Sequence, residues 1–143
     1  MKCQHPAPPA VKKVWAKVPL IQCRGLCSSS CGPILMSQAE YDLLRKRGHP
    51  FQPVKGCMNC PLLKEERCSA YSIRPLICRL WGVVDKPAMK CPHGCVPERY
   101  LSDLEGTALL TEMEQAGGSV PDGLLSAVLS MLPPAVTGAN GAE

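Results

Sequence analysis

The cysteines constrain this chain more than any other feature. Nine of the ten fall between Cys23 and Cys95, grouped as Cys23-x3-Cys27-x3-Cys31, Cys57-x2-Cys60 and Cys91-x3-Cys95, with Cys68 and Cys78 between the last two groups. Cysteines two or three residues apart on a turn can aim both sulfurs at one ion, at about 2.3 Å for zinc. Ligands drawn from distant stretches make metal binding part of the folding energy. The chain has need of it. At 143 residues there is room for one domain, and Leu, Ile, Val and Phe together supply only 32 side chains, with a single Phe, so burial alone would leave a marginal fold. The expected architecture is a small, irregular, α-rich single domain (α+β at most), nucleated by cysteine-bound metal.

Disulfides would serve the same purpose in a small secreted domain. The opening MKCQHPAPPAVKKVWAKVPL argues against that setting, because Pro6, Pro8, Pro9 and lysines at 12, 13 and 17 leave no continuous apolar stretch for a secretion signal. A cytoplasmic protein with reduced thiols is expected. No run approaches the roughly 20 apolar residues of a membrane helix: Leu124 to Leu132 is interrupted by serines and ends at Pro133 and Pro134. The formal charge of +4 counts every cysteine as neutral. Four thiolates around one zinc, or around a 2+ four-iron four-sulfur cluster, carry a net −2, so two filled sites would cancel the excess. Arg45, Lys46 and Arg47 close a predicted helix, where the dipole favours cations. Metal ions are the expected partners, a protein partner is allowed for, and nucleic acid is not expected.

Residues 1–13 read as a disordered, Pro-rich lead-in. Residues 14–98 form the expected cysteine-cluster metal-binding domain, in which VWAKVPLIQ (14–22) is an extended or edge segment delivering Cys23. Ser37-Gln38-Ala39-Glu40 is a capping box that opens a helix over 38–47, flanked by Met36 and Tyr41 as a hydrophobic staple and stopped by Gly48. Its apolar residues are few, so it is expected to lie as a cover over the cysteines. Arg74-Pro75 suits a short helix start that turns Cys78 inward and ends at Gly82. Residues 99–133 are expected as a helical extension packing on that domain: Ser102-Asp103-Leu104-Glu105 is a second capping box, and Leu125, Val128, Leu129 and Leu132 make an apolar stripe, the two helices forming an antiparallel pair. Residues 134–143 read as a disordered tail.

The candidate metal ligands are therefore Cys23, Cys27, Cys31, Cys57, Cys60, Cys68, Cys78, Cys91 and Cys95, nine for the eight places of two four-sulfur sites. Buried free thiols, which behave as small apolar residues, are the alternative for any one of them. Cys60-Pro61 and Cys91-Pro92 fit ferredoxin-type cluster loops, where a proline follows a ligand cysteine, and also ordinary turns. His93 is read as a solvent-facing loop residue, given softer ligands close by. Arg79, next to Cys78, is read as a donor toward sulfur, with Arg74 evenly balanced between that role and a solvated surface.

The run Cys60-Pro-Leu-Leu, Cys68-Ser-Ala-Tyr71 and Arg74-Pro75-Leu-Ile-Cys78-Arg79 resembles the YkgJ-type cysteine-cluster family, a zinc- or iron-chelating domain, over about residues 15–98. The resemblance implies an early cysteine group before a helix opening near a glutamate, as Glu40 does, and a later cysteine-proline, as at Cys91-Pro92. That early group usually closes on two adjacent cysteines. Here Cys31 is followed by Gly32, which leaves Cys57 and Cys95 as substitutes. Some relatives are associated with flagellin lysine methylases.

Two functions compete. One is a zinc- or iron-binding protein with a structural or metal-handling role, zinc being the preferred ion. The other is an iron–sulfur protein that carries electrons or supports a protein-modifying, methylase-type enzyme. No GxGxxG, nucleotide-binding loop or pair of carboxylates beside the cysteines marks a catalytic site.

Overall fold

Pro8 and Pro9 begin the first helix instead of preventing it. The computed structural model describes residues 5–22 and 31–133, and its first element is α1, Pro9–Trp15. Proline at the first helical position loses nothing, since its missing N–H has no partner there. Val11, Val14 and Trp15 then fall at helical spacing and are buried, with Lys12 and Lys13 outward. The lead-in expected through residue 13 is thus ordered helix from Pro9, held by tertiary contacts that local composition does not reveal.

Helix α2, Gln38–Lys46, starts at the predicted capping box: Ser37 Oγ accepts from Glu40 N, and the Glu40 carboxylate accepts from Ser37 N. It is more than a cover, because Leu43 and Leu44 are both buried in the central core. A two-residue hairpin follows, β1 (Leu63–Lys64) against β2 (Arg67–Cys68), with Leu63 opposite Cys68. Its turn residues Glu65 and Glu66 have φ of 51° and 63°, the left-handed geometry of a tight hairpin that Asn and Gly adopt more readily. Helix α3, Leu76–Leu80, buries Leu76 and Leu80 and ends at Trp81.

Helix α4, Asp103–Gly117, opens at the second capping box, where Ser102 Oγ accepts from Glu105 N and Glu105 reaches back to Ser102 N. It is the hub of the packing: its principal helix partners are α1, α3 and α2. Two glycines allow close approach. A Cβ on Gly106 would sit 3.3 Å from Val84 Cγ2, and one on Gly117 would sit 2.6 Å from Ser37 Oγ. The expected antiparallel pairing with α5, Leu124–Leu129, is not its main contact. After Gly118 (φ 87°) the chain turns away, and α5 sends Leu124 and Val128 into the common core while the Ser130 carbonyl accepts from Gly56 N at 2.8 Å.

That core is hydrocarbon. Phe51, Leu44, Leu76, Leu80, Leu101 and Met131 are almost completely enclosed, and Cys60 is the one described cysteine within the buried cluster. The sulfurs therefore sit at the edge of an interior that aliphatic side chains fill. Short bridges bind the loops to it: Val84 pairs in parallel with Leu101, and Ile21 pairs antiparallel with Pro97. The tail expected over 134–143 lies outside the described residues.

Candidate metal centre

Four pieces of local structure bring cysteines to one place. Cys60 N donates to the Cys31 carbonyl at 3.4 Å, and Leu63 N donates to the Cys60 carbonyl at 3.0 Å, so the segment at Cys31 lies beside the turn at Cys60 and that turn feeds the hairpin. Pairing in the hairpin sets Cys68 opposite Leu63. Helix α3 carries Cys78 to the same side. A cavity of about 630 Å³ results, and its walls include Cys31, Cys60, Cys68, Cys78, Cys91 and Cys95. Apolar groups complete them, among them Ile34, Ile77 and Met89.

The electrostatics report the same grouping. Burial pushes the Cys78 thiol from its ordinary 9.0 up to about 12, reinforced by Cys60, Cys68 and Cys31, while the charge of Arg74 acts weakly the other way. Cys60 is raised too, first by burial, with backbone N–H groups of Leu62 and Leu63 opposing and Cys68 adding to the rise. Ionised together, these sulfurs repel one another, and a divalent cation among them would outweigh that repulsion and favour the thiolates.

Of the nine predicted ligands, six line the cavity. Cys57 does not line it, so the Cys57–Cys60 pair splits, and Cys23 and Cys27 lie outside the described residues. Cys57, Cys60, Cys68, Cys78 and Cys95 are thiols rather than disulfides. His93 is exposed, and its backbone N–H points to Cys91 Sγ at 3.4 Å.

Arg79 does not take the sulfur-directed role expected of it, and of the two arginines it is Arg74, held evenly between two roles, that lines the cavity. Arg74 lines the cavity, stacked 4.0 Å over the Tyr71 ring. Arg79 turns away from sulfur: Nε donates to the Arg74 carbonyl at 2.8 Å, Nη2 donates to the Ser72 carbonyl at 3.1 Å, and the guanidinium lies 3.9 Å over the Trp15 ring. Burial first, then the charge of Arg74, lowers its pKa to about 10, and the carbonyls before α3 use donors that the sequence had assigned to thiolates.

Glu40 was read from sequence only as half of a capping box. Its carboxylate is buried and fully engaged. Oε1 accepts from Ser37 N and Ser37 Oγ, at 3.3 and 2.9 Å, and Oε2 accepts from Trp15 Nε1 at 3.0 Å and from Leu76 N at 2.6 Å. Leu76 opens the helix that bears Cys78. One side chain thus ties α1 and α2 to the start of α3. The available signal was a glutamate opening an amphipathic helix, which does not say that the same carboxylate also serves two remote donors.

Do these residues suit a metal? Thiolates select soft ions such as zinc, Cu(I) and iron–sulfur clusters. Two further observations concern geometry. Among the described residues, no group of three or more His, Cys, Asp or Glu side chains is drawn together tightly enough to hold an ion. The indole Nε1 of Trp81, on the same wall, is buried without a hydrogen-bond partner. The donor chemistry fits a thiophilic metal, and binding would require the sulfurs to close in.

A family model of CxxCxxCC type, described as "Putative zinc- or iron-chelating domain", matches residues 22–96. That span contains all nine predicted ligands. No curated protein and no solved structure matches the chain.

Proposed function

Since the chain belongs to the zinc- or iron-chelating CxxCxxCC family, we propose that it binds a thiophilic metal ion through Cys31, Cys60, Cys68 and Cys78, in a structural or metal-handling role. The observation that carries this reading is the convergence of those four thiols on one cavity, where the other three raise the cost of ionising Cys78. Zinc is the preferred occupant, as four thiolates make a closed structural site for it. Cys91 and Cys95, on the same wall, are further candidate ligands, and Cys57, which does not line the cavity, is the spare. Each thiol loses its proton on ligation, so affinity rises with pH. A resident metal would supply charge neutralisation and a crosslink between the hairpin, α3 and the segment at Cys31. We assign no catalytic residue. Protein purified anaerobically without added metal and analysed by mass spectrometry should carry at least one equivalent of zinc or iron; less than half an equivalent of both defeats the proposal.

One feature favours the iron–sulfur alternative, in electron transfer or in support of a modifying enzyme. A cavity of about 630 Å³ is many times the roughly 30 Å³ share of one water molecule, and Cys60 and Cys91, each followed in sequence by a proline, line it. Visible absorption that bleaches on reduction would establish this alternative, and colourless protein loaded with zinc would exclude it.

A further inference from the structure

One residue of the cavity wall carries a buried polar atom with nothing to bond. Trp81 Nε1 is shielded from solvent and lacks a partner, while its residue shares the cavity with Cys31, Cys60, Cys68 and Cys78. An indole nitrogen can only donate, and a buried donor left unpaired is a standing penalty. The other tryptophan shows the usual arrangement, since Trp15 Nε1 donates to Glu40 Oε2 at 3.0 Å. Trp81 is also well anchored. It caps α3 three residues after Cys78, and Gly82, with φ of 87°, follows at once and donates its N–H to the Met89 carbonyl at 2.6 Å.

Neutral thiols are weak acceptors, whereas a metal-bound thiolate or a cluster sulfide is a charged sulfur that takes hydrogen bonds readily. We infer that the Trp81 indole N–H donates to a sulfur of the loaded centre, making Trp81 a positioning residue that orients and tunes the centre without ligating it. The inference rests on the metal reading above. A donor at sulfur withdraws electron density from the metal, which stabilises a zinc tetrathiolate against protonation and would raise the reduction potential of an iron site.

The test uses the full chain, reduced, stripped of metal and labelled with nitrogen-15. Two tryptophans give two indole N–H signals. On titration with Zn(II), the Trp81 signal should move downfield and exchange with water about tenfold more slowly, while the Trp15 signal stays in place. With cadmium-113 as the probe, the Trp81 proton should show coupling to the metal through the hydrogen bond. Trp81→Phe should bind Zn(II) about tenfold more weakly. Zinc uptake is measured on the same samples by mass spectrometry. Uptake with a stationary Trp81 signal overturns the inference and leaves the metal reading intact, whereas absence of uptake overturns both. If Trp81→Phe does not fold, the wild-type titration decides alone.

Discussion

Position relative to the cavity separates the cysteines into groups that spacing alone does not. Cys57 and Cys60 form the tightest pair in the chain, yet only Cys60 lines the cavity. Cys78→Ser and Cys60→Ser should each abolish at least one equivalent of bound zinc, and Cys57→Ser should leave metal content within error; equal losses from all three, read by mass spectrometry, would contradict the assignment. The pH response follows from Cys78. Its folded pKa of about 12 lies above the ordinary 9.0, so the folded state favours the neutral thiol, and the associated stability is complete below pH 9 and drains away as pH climbs toward 12. Urea midpoints of metal-free protein should fall across that window, Cys78→Ser should flatten the fall, and metal loading, which removes the proton beforehand, should abolish it. Arginine roles were legible only by type: a guanidinium near Cys78 could be foreseen, but whether it met sulfur or carbonyl oxygen depended on the path of the chain before α3.

Between elements, the contact that matters most runs through Glu40. Glu40→Gln keeps the shape but replaces one acceptor oxygen with a donor. It should cost about 1.5–3 kcal/mol, the range for hydrogen bonds to a charged group, and should weaken zinc binding by loosening the start of α3. Calorimetric unfolding and a zinc competition assay check the two parts, and an unchanged melting temperature would show that the carboxylate is dispensable. Gly117 acts on the same contact from farther off. A methyl there meets Ser37 Oγ at 2.6 Å and Ser37 Cβ at 3.0 Å, inside the capping box that holds Glu40. Gly117→Ala should therefore destabilise the fold by about 1–3 kcal/mol, although alanine is the better helix former. A stabilised variant in thermal unfolding would refute that packing. The starts of α2 and α4 were legible because a capping box is a local code. The start of α1 was not, because its prolines read as disorder until α4 covers Val11 and Val14.

Across the molecule, an apolar interior stands beside the cysteines, and whether metal nucleates the fold is decided by removing it. Val11, Leu44, Phe51, Leu76, Leu101 and Val128 form a continuous apolar interior from modest resources, with Cys60 inside it and Cys31 and Cys68 packed against it. Chelator-treated protein should accordingly keep most of its far-ultraviolet helix signal while its melting temperature falls, with hydrogen exchange rising chiefly over residues 60–95. Complete loss of helix on chelation would instead make metal the nucleus of the fold. That cysteines from separate segments line one cavity was legible in their number and grouping; that the cavity lies at the margin of the core was not, since it depends on α4 engaging α1, α2 and α3 together. The antiparallel bridge between Ile21 and Pro97 has a wider implication. It fastens the chain just outside both ends of the family-matched stretch, residues 22–96, so that stretch enters and leaves at a single seam. A unit with adjoining doorways can be spliced into the loop of an unrelated host without prying that loop open, on condition that the host brings something to replace the cover that α1 and α4 provide here.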